Sequence, residues 1–189
     1  MHPPLAWTAG PRLVLLTLLS TAAAADSVEV KDVSFPTSFE AHDQTFTLIG
    51  HGLFEYLIWD AYAGAYYQAE AAPEPAPLSD IPRHLELAYF HGIDAEDFAE
   101  ATRDTVRDNL DRASYSRLEA ALEDFNGHYR DVVPGDRYAL SWDGDQMRMA
   151  LNDETLYQDD DLALANALFS IWLGEKPLNQ AFRDALLDR

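Results

Sequence analysis

The stretch GHGLFEYLIWDAYAGAYY, Gly50 to Tyr67, restricts the fold more than any other part of the chain. It reads as two successive strands, and its second half alternates very small residues with tyrosines. A strand sends successive side chains to opposite faces. Ala61, Ala63 and Ala65 are therefore expected on one face, with Tyr62, Gly64 and Tyr66 on the other. A face of alanines lets a helix approach a sheet closely. The tyrosine face suits a partly apolar cavity or a second packing layer, because a buried phenol needs a polar partner for its hydroxyl. Structural packing and a ligand pocket both satisfy the pattern.

The flanking segments extend this sheet. SVEVKDVSF, Ser27 to Phe35, alternates as one strand, and TFTLIGHGLFEY and LIWDAYAGAYY follow as further strands. The proline- and alanine-rich QAEAAPEPAPLSDIP, Gln68 to Pro82, reads as an exposed loop within one domain. HLELAYF, His84 to Phe90, is another strand, with Leu85 and Leu87 on one face. The period then becomes helical. Asp94, with Asp97 in the capping-box position, opens a helix that places Phe98, Ala101, Thr102, Thr105 and Leu110 near one face. YSRLEAALEDFNGHY gathers Leu118, Leu122 and Phe125. DRYALSW and QMRMAL flank an Asp143-Gly144 hairpin turn. Asp159 to Asp161 start a third helix that runs to Gly174, and Lys176-Pro177 opens a short last one. Strands first, then helices, a hairpin and helices predict an α+β fold: a large antiparallel sheet covered on one face by helices.

The N-terminal segment is set apart from that domain. Residues 1–25 contain one strong charge, Arg12, and then the apolar run LVLLTLLSTAAAA. That run is shorter than the about 20 residues needed to cross a bilayer, and it ends in small residues before Asp26. It is expected to be a signal peptide cut near Ala25, leaving residues 26–189 as one periplasmic or secreted domain without a membrane span. The chain has no cysteine, so disulfides and thiol chemistry are excluded. Its 13 Lys and Arg against 33 Asp and Glu give a net charge of −20. Such a field repels nucleic acid and anionic membrane surfaces, so no nucleic-acid partner is expected.

Catalytic motifs are scarce. The six histidines form no metal-binding pair, and Asp143-Gly144-Asp145 is followed by Met147 and Met149 where a calcium loop needs oxygen ligands. No Gly-x-Ser-x-Gly elbow is present, and Gly50-x-Gly52 lacks the third glycine of a phosphate loop. Neither a metal nor a cofactor is expected.

The Gly50–Tyr67 stretch resembles the glycine-x-glycine strand pair of the chalcone isomerase-like proteins, ending here in Tyr62-Ala63-Gly64-Ala65-Tyr66-Tyr67. ALFSIWLGEKPLNQAFRDALL, Ala167 to Leu187, is similar to that family's closing segment. RHLELAYFHGIDAEDFAEA and MALNDETL match its order between them. The resemblance implies a cleft between sheet and helices. In the plant enzymes this cleft closes a chalcone into a flavanone without a cofactor, using an arginine, a tyrosine, an asparagine and two threonines. Related plant proteins bind fatty acids through the same arginine and a tyrosine.

At those positions this chain differs. The arginine position holds Phe54 and the first threonine position Tyr62; the tyrosine and asparagine fall at Phe98 and Thr105, and the second threonine near Ser170 or Ile171, before Trp172. Loss of the guanidinium removes the permanently charged group that would hold an oxyanion or carboxylate. The expectation is a non-catalytic protein binding a lipophilic small molecule, fatty acid-like or polyphenol-like, in a cleft lined by Phe54, Tyr62, Phe98, Thr105, Ser170, Ile171 and Trp172. The alternatives are a cofactor-free intramolecular lyase and an envelope protein-interaction module.

Overall fold

The computed structural model describes residues 26–69 and 76–189. The expected signal peptide and residues 70–75 of the expected loop lie outside the described residues. Gln68 and Ala69, read as the start of that loop, are buried at the end of a strand, because the chain pairs on to Arg83 before leaving the sheet. Nine strands and four helices are present among those described: β1 (Ser27–Val30), β2 (Val33–Pro36), β3 (Ser38–Ala41), β4 (Gln44–Tyr56), β5 (Trp59–Ala69), β6 (Arg83–Tyr89), α1 (Ala95–Asn109), α2 (Arg112–Asn126), β7 (Arg137–Trp142), β8 (Met147–Leu151), β9 (Glu154–Asp159), α3 (Leu162–Leu173) and α4 (Gln180–Leu186). Strands β3 to β9 form one antiparallel sheet in sequence order, and β1 and β2 form a separate hairpin. The fold is α+β, as expected.

The two halves of SVEVKDVSF are separate strands, because Lys31 adopts a positive φ of 54° and turns the chain back. The resulting hairpin covers the second face of the sheet. Phe35 lies there with Phe46, Ala63, Ala65, Tyr67 and Ala88. The alanine face therefore receives this hairpin, not a helix. The helices pack on the opposite face, against Tyr62, Tyr66, Leu85, Leu87 and Tyr89.

Glycines, not alanines, admit the closest helix. A Cβ at Gly50 would lie 2.3 Å from the Ala185 carbonyl oxygen, and one at Gly52 would lie 2.8 Å from the Ala185 Cβ. At Gly64 it would lie 2.6 Å from Phe182 Cζ. Gly50 and Gly52 on β4 and Gly64 on β5 thus clear a trench in which α4 lies. A register shift between Leu48 and Gly50 makes this possible. It turns Gly50 toward α4, while Leu48 packs on the hairpin side. A second shift, between Phe54 and Glu55, leaves Ala61 unpaired opposite them. Ala61 consequently joins the helix-side core beside Tyr62, away from Ala63 and Ala65.

Capping fixes the helix starts. Asp111 accepts from the backbone N–H groups of Ala113 and Ser114, Asp161 from Ala163 and Leu164, and Asn179 from Phe182. These side chains satisfy N–H groups that a helix start leaves open. Asp94 stands at the α1 cap position but makes no side-chain bond; the Asp131 carboxylate accepts from Ala95 N–H instead. The third helix starts later than the acidic run suggests, since Asp159 ends β9. Asp143 holds its turn by accepting from the N–H groups of Asp145 and Gln146.

The trench makes a quantitative prediction. Gly50→Ala places a methyl against main-chain atoms of α4 that cannot rotate away. It should cost about 1–3 kcal/mol of stability, as overpacked sites do, lowering Tm by roughly 2–4 °C per kcal/mol in a chain this size. Thermal melts followed by circular dichroism measure this; an unchanged Tm would show that α4 is not seated as described.

Candidate functional site

One end of the sheet and the facing helices enclose a cleft, built on a pair of stacked rings. Phe54 and Tyr62 are cross-strand partners on β4 and β5. Their rings stack at 4.5 Å with an interplanar angle of 15°. Phe182 of α4 meets both rings edge-on, at 5.6 and 5.5 Å, an arrangement that suits the aromatic quadrupole. From the last turn of α3, Trp172 Nε1–H donates to the Tyr62 hydroxyl at 3.1 Å and ties helix to sheet across the cleft. Tyr89 of β6 lies 5.3 Å from Tyr62. Phe98 of α1 meets Tyr89 edge-on at 5.5 Å and stacks on Tyr129 at 5.4 Å. Thr102 and Tyr129 share a hydroxyl–hydroxyl hydrogen bond of 2.9 Å.

These side chains line a cavity of about 640 Å³, within the roughly 300–1,000 Å³ of small-molecule sites. Behind it lies a void of about 30 Å³ among Leu85, Leu87, Phe125, Tyr138, Met149 and Leu168. Tyr89, Phe98, Tyr129, Ile171 and Trp172 line both spaces and form the wall between them. The outer mouth is different in character, with Asp97, Glu100 and Asp104 from α1 facing Tyr56, Trp59 and His91.

Among the described residues no lysine or arginine lines the cavity; its one basic side chain is His91, at the mouth. Arg103 is turned outward to Glu123, at 2.8 Å. The Lys176 main chain is held by the Asn109 side chain, outside the cavity. Arg83 is wholly buried, but at the far end of β6 from Tyr89, about 20 Å away at strand rise. There its guanidinium donates to the carbonyls of Ser79 and Ile81 and to Asn166 Oδ1, and lies 4.4 Å over the Phe169 ring. Burial lowers its pKa to about 10, which leaves it charged at neutral pH. It fastens the segment before β6 to α3 and does not serve the cleft.

Inward of the mouth, the cavity's polar groups are the hydroxyls of Tyr62, Tyr89, Tyr129 and Thr102. Burial pushes the Tyr62 pKa well above its ordinary value of about 10, against the opposing Trp172 hydrogen bond. Burial also raises Tyr129, opposed by Thr102, and raises Tyr89, where the neighbouring phenols add to the effect. Tyr62 accepts from Trp172, and its own O–H proton has no acceptor among the described residues. Such a group keeps its proton as a potential hydrogen-bond donor and is not a base at neutral pH.

Of the residues singled out from the sequence, Phe54, Tyr62, Phe98, Ile171 and Trp172 line this cavity, while Thr105 and Ser170 do not. Thr105 is buried two helical turns beyond Phe98 on α1. Ser170 precedes Ile171 by about 100° of helix rotation; it bonds back to the Ala167 carbonyl at 2.6 Å and borders a separate groove with Asn109, Leu110 and Asn166. Tyr89, Thr102 and Tyr129 are added by the structure. Continuing the alternation of Leu85 and Leu87 leads to Tyr89, and Thr102 shares the helical face of Phe98. Tyr129 follows α2 in a turn that carries no local signal.

The matching family model spans residues 27–188 and is described as chalcone isomerase-like. The chain belongs to the chalcone isomerase-like family. Among solved structures, a crystal structure of a fatty-acid binding protein from Arabidopsis thaliana is similar, with a TM-score of 0.68 and 19% sequence identity. The match covers 86% of this chain and 96% of that one. At that identity the likeness is one of fold. No individually curated protein matches the sequence.

The raised phenols carry a pH consequence. Above about pH 10 an unfolded chain releases tyrosine protons, whereas the folded one retains those on Tyr62, Tyr89 and Tyr129. The native state then binds more protons, so stability should fall as pH rises through that range. A near-ultraviolet tyrosinate titration checks this: a group of tyrosines should ionise only as the protein unfolds, and full ionisation in the folded state near pH 10 would contradict it.

Proposed function

We propose that this chain is a secreted, non-catalytic member of the family that binds a lipophilic, uncharged small molecule in the cleft. The observation that carries the reading is the Phe54–Tyr62 stack, which fills with rings the site where relatives that bind or convert anions keep an arginine. A catalytic cleft of this type needs a charge that stabilises a developing oxyanion, and among the described residues this lining has no guanidinium or ammonium group to supply it. Asp97, Glu100 and Asp104 at the mouth add repulsion toward a carboxylate. The Arabidopsis protein is named for fatty-acid binding; the charge pattern here favours neutral counterparts, such as esters, long-chain alcohols or uncharged polyphenols. The apolar run Leu13–Ala25 supports export, and a bacterial periplasm is the compartment proposed.

Walls of aromatic rings would enclose the guest, and the free Tyr62 O–H would donate to its carbonyl or hydroxyl oxygen. Native mass spectrometry of protein purified from the producing cell should show a bound neutral lipophile, absent from Tyr62→Ala. Tyr62→Phe retains the stack but removes both the bond to the guest and the bond accepted from Trp172. The guest bond alone is worth about 0.5–1.5 kcal/mol, so affinity should fall at least roughly 2–10-fold. Chalcone cyclisation, followed by absorbance, should stay at the uncatalysed rate. Turnover above background that Tyr62→Phe abolishes would overturn the proposal, as would preferential capture of a fatty-acid anion.

A further inference from the structure

The cavity mouth is bordered by the most exposed apolar surface of the molecule. Seven large hydrophobic side chains are strongly exposed among the described residues, and four are consecutive: Tyr56 65%, Leu57 83%, Ile58 86% and Trp59 59%. They form the tip of the β4–β5 hairpin. Tyr56 and Trp59 face each other across it, and Leu57 and Ile58 make its apex. A fifth, Leu178, stands with Tyr56 and Trp59 on the cavity lining.

The turn itself is unusual. Leu57 has a φ of 57°, in the left-handed region that glycine or asparagine normally occupies in a hairpin turn. A leucine there carries backbone strain and leaves its side chain in water. Neither property benefits an isolated hairpin, since polar turn residues would satisfy the same backbone more easily.

We infer that this tip docks onto the surface of a zwitterionic lipid bilayer, setting the cavity mouth against the lipid. Three observations select this occupant. The order of side chains along the tip matches the depth profile of an interface, with aliphatic groups at the apex and Trp and Tyr at headgroup level. Four or five residues are far fewer than the roughly 20–30 per side of a stable protein interface, but they suffice for a shallow anchor. The surrounding charge is negative: Glu55 and Asp60 flank the tip, Lys31 is engaged with Asp60, and α1 contributes the acids of the mouth. That pattern disfavours anionic lipid and gives the contact no electrostatic help, so apolar insertion must supply the binding.

The test is flotation of the purified protein with phosphatidylcholine vesicles. The unaltered protein should float with them, and Leu57→Asp with Ile58→Asp should reduce the bound fraction at least tenfold. Replacing a third of the lipid with phosphatidylglycerol should weaken binding at low salt, and added salt should restore it. A second variant guards against misfolding. Leu57→Gly with Ile58→Ser places glycine at the positive φ; it should melt at or above the parent temperature and still lose vesicle binding. Neither residue lines the cavity, so ligand uptake from solution should persist in both variants, which separates failure of this inference from failure of the ligand-binding proposal. No flotation of the parent protein would overturn the inference. So would equal flotation of parent and variants, which would assign binding to another surface. Concentration-dependent dimers that the variants abolish, seen by sedimentation velocity without vesicle binding, would instead place a second copy on the tip and equally overturn it.

Discussion

The seating of α4 against three glycines is the contact from which the rest of the site follows. Without side chains at Gly50, Gly52 and Gly64, the helix lies against the sheet closely enough for Phe182 to reach the rings of Phe54 and Tyr62. Those rings are locked on the edge by Phe182 and from above by the Trp172–Tyr62 hydrogen bond. Aromatic side chains have few rotatable bonds, so once packed on three sides they form a rigid wall. The cavity exists because that wall stands at one end of the sheet while α1 and α3 hold the other side open.

The strong negative charge of the molecule and the neutrality of its cleft are two sides of one arrangement. Charged groups stay at the surface, where water solvates them, and Arg83, the one wholly buried arginine among the described residues, is surrounded by carbonyl oxygens and a ring well away from the cleft. Inside the cleft the polar atoms are hydroxyls whose ionisation burial suppresses. On the binding function proposed, such a site would discriminate by shape and by one or two hydrogen bonds.

Much of this was legible from the chain alone, for physical reasons that differ between elements. The strands around the glycine-x-glycine stretch and the helices after Asp94 announce themselves through period, because each buries one face. That Phe54 belongs to the cleft was likewise legible, because the resemblance of the strand pair marked its position. The turn at Lys31 was not visible, since valines alternate on both sides of it and only the positive φ splits the strand. The two register shifts in the β4–β5 pair were hidden for a similar reason: an extra residue leaves no mark on composition, yet it reverses which face every later side chain takes.

Residue identity and local period were enough to set the α+β class, the aromatic character of Phe54 and Tyr62 and the absence of thiol chemistry. Tertiary structure alone decided which face of β5 meets the helices, that Ser170 lies outside the cleft, and that Tyr89 and Tyr129 complete it. It also decided that four apolar residues read as strand ends stand in water at a hairpin tip. Each of these turns on contacts between segments distant in the chain, and local periodicity carries no information about what a face will meet.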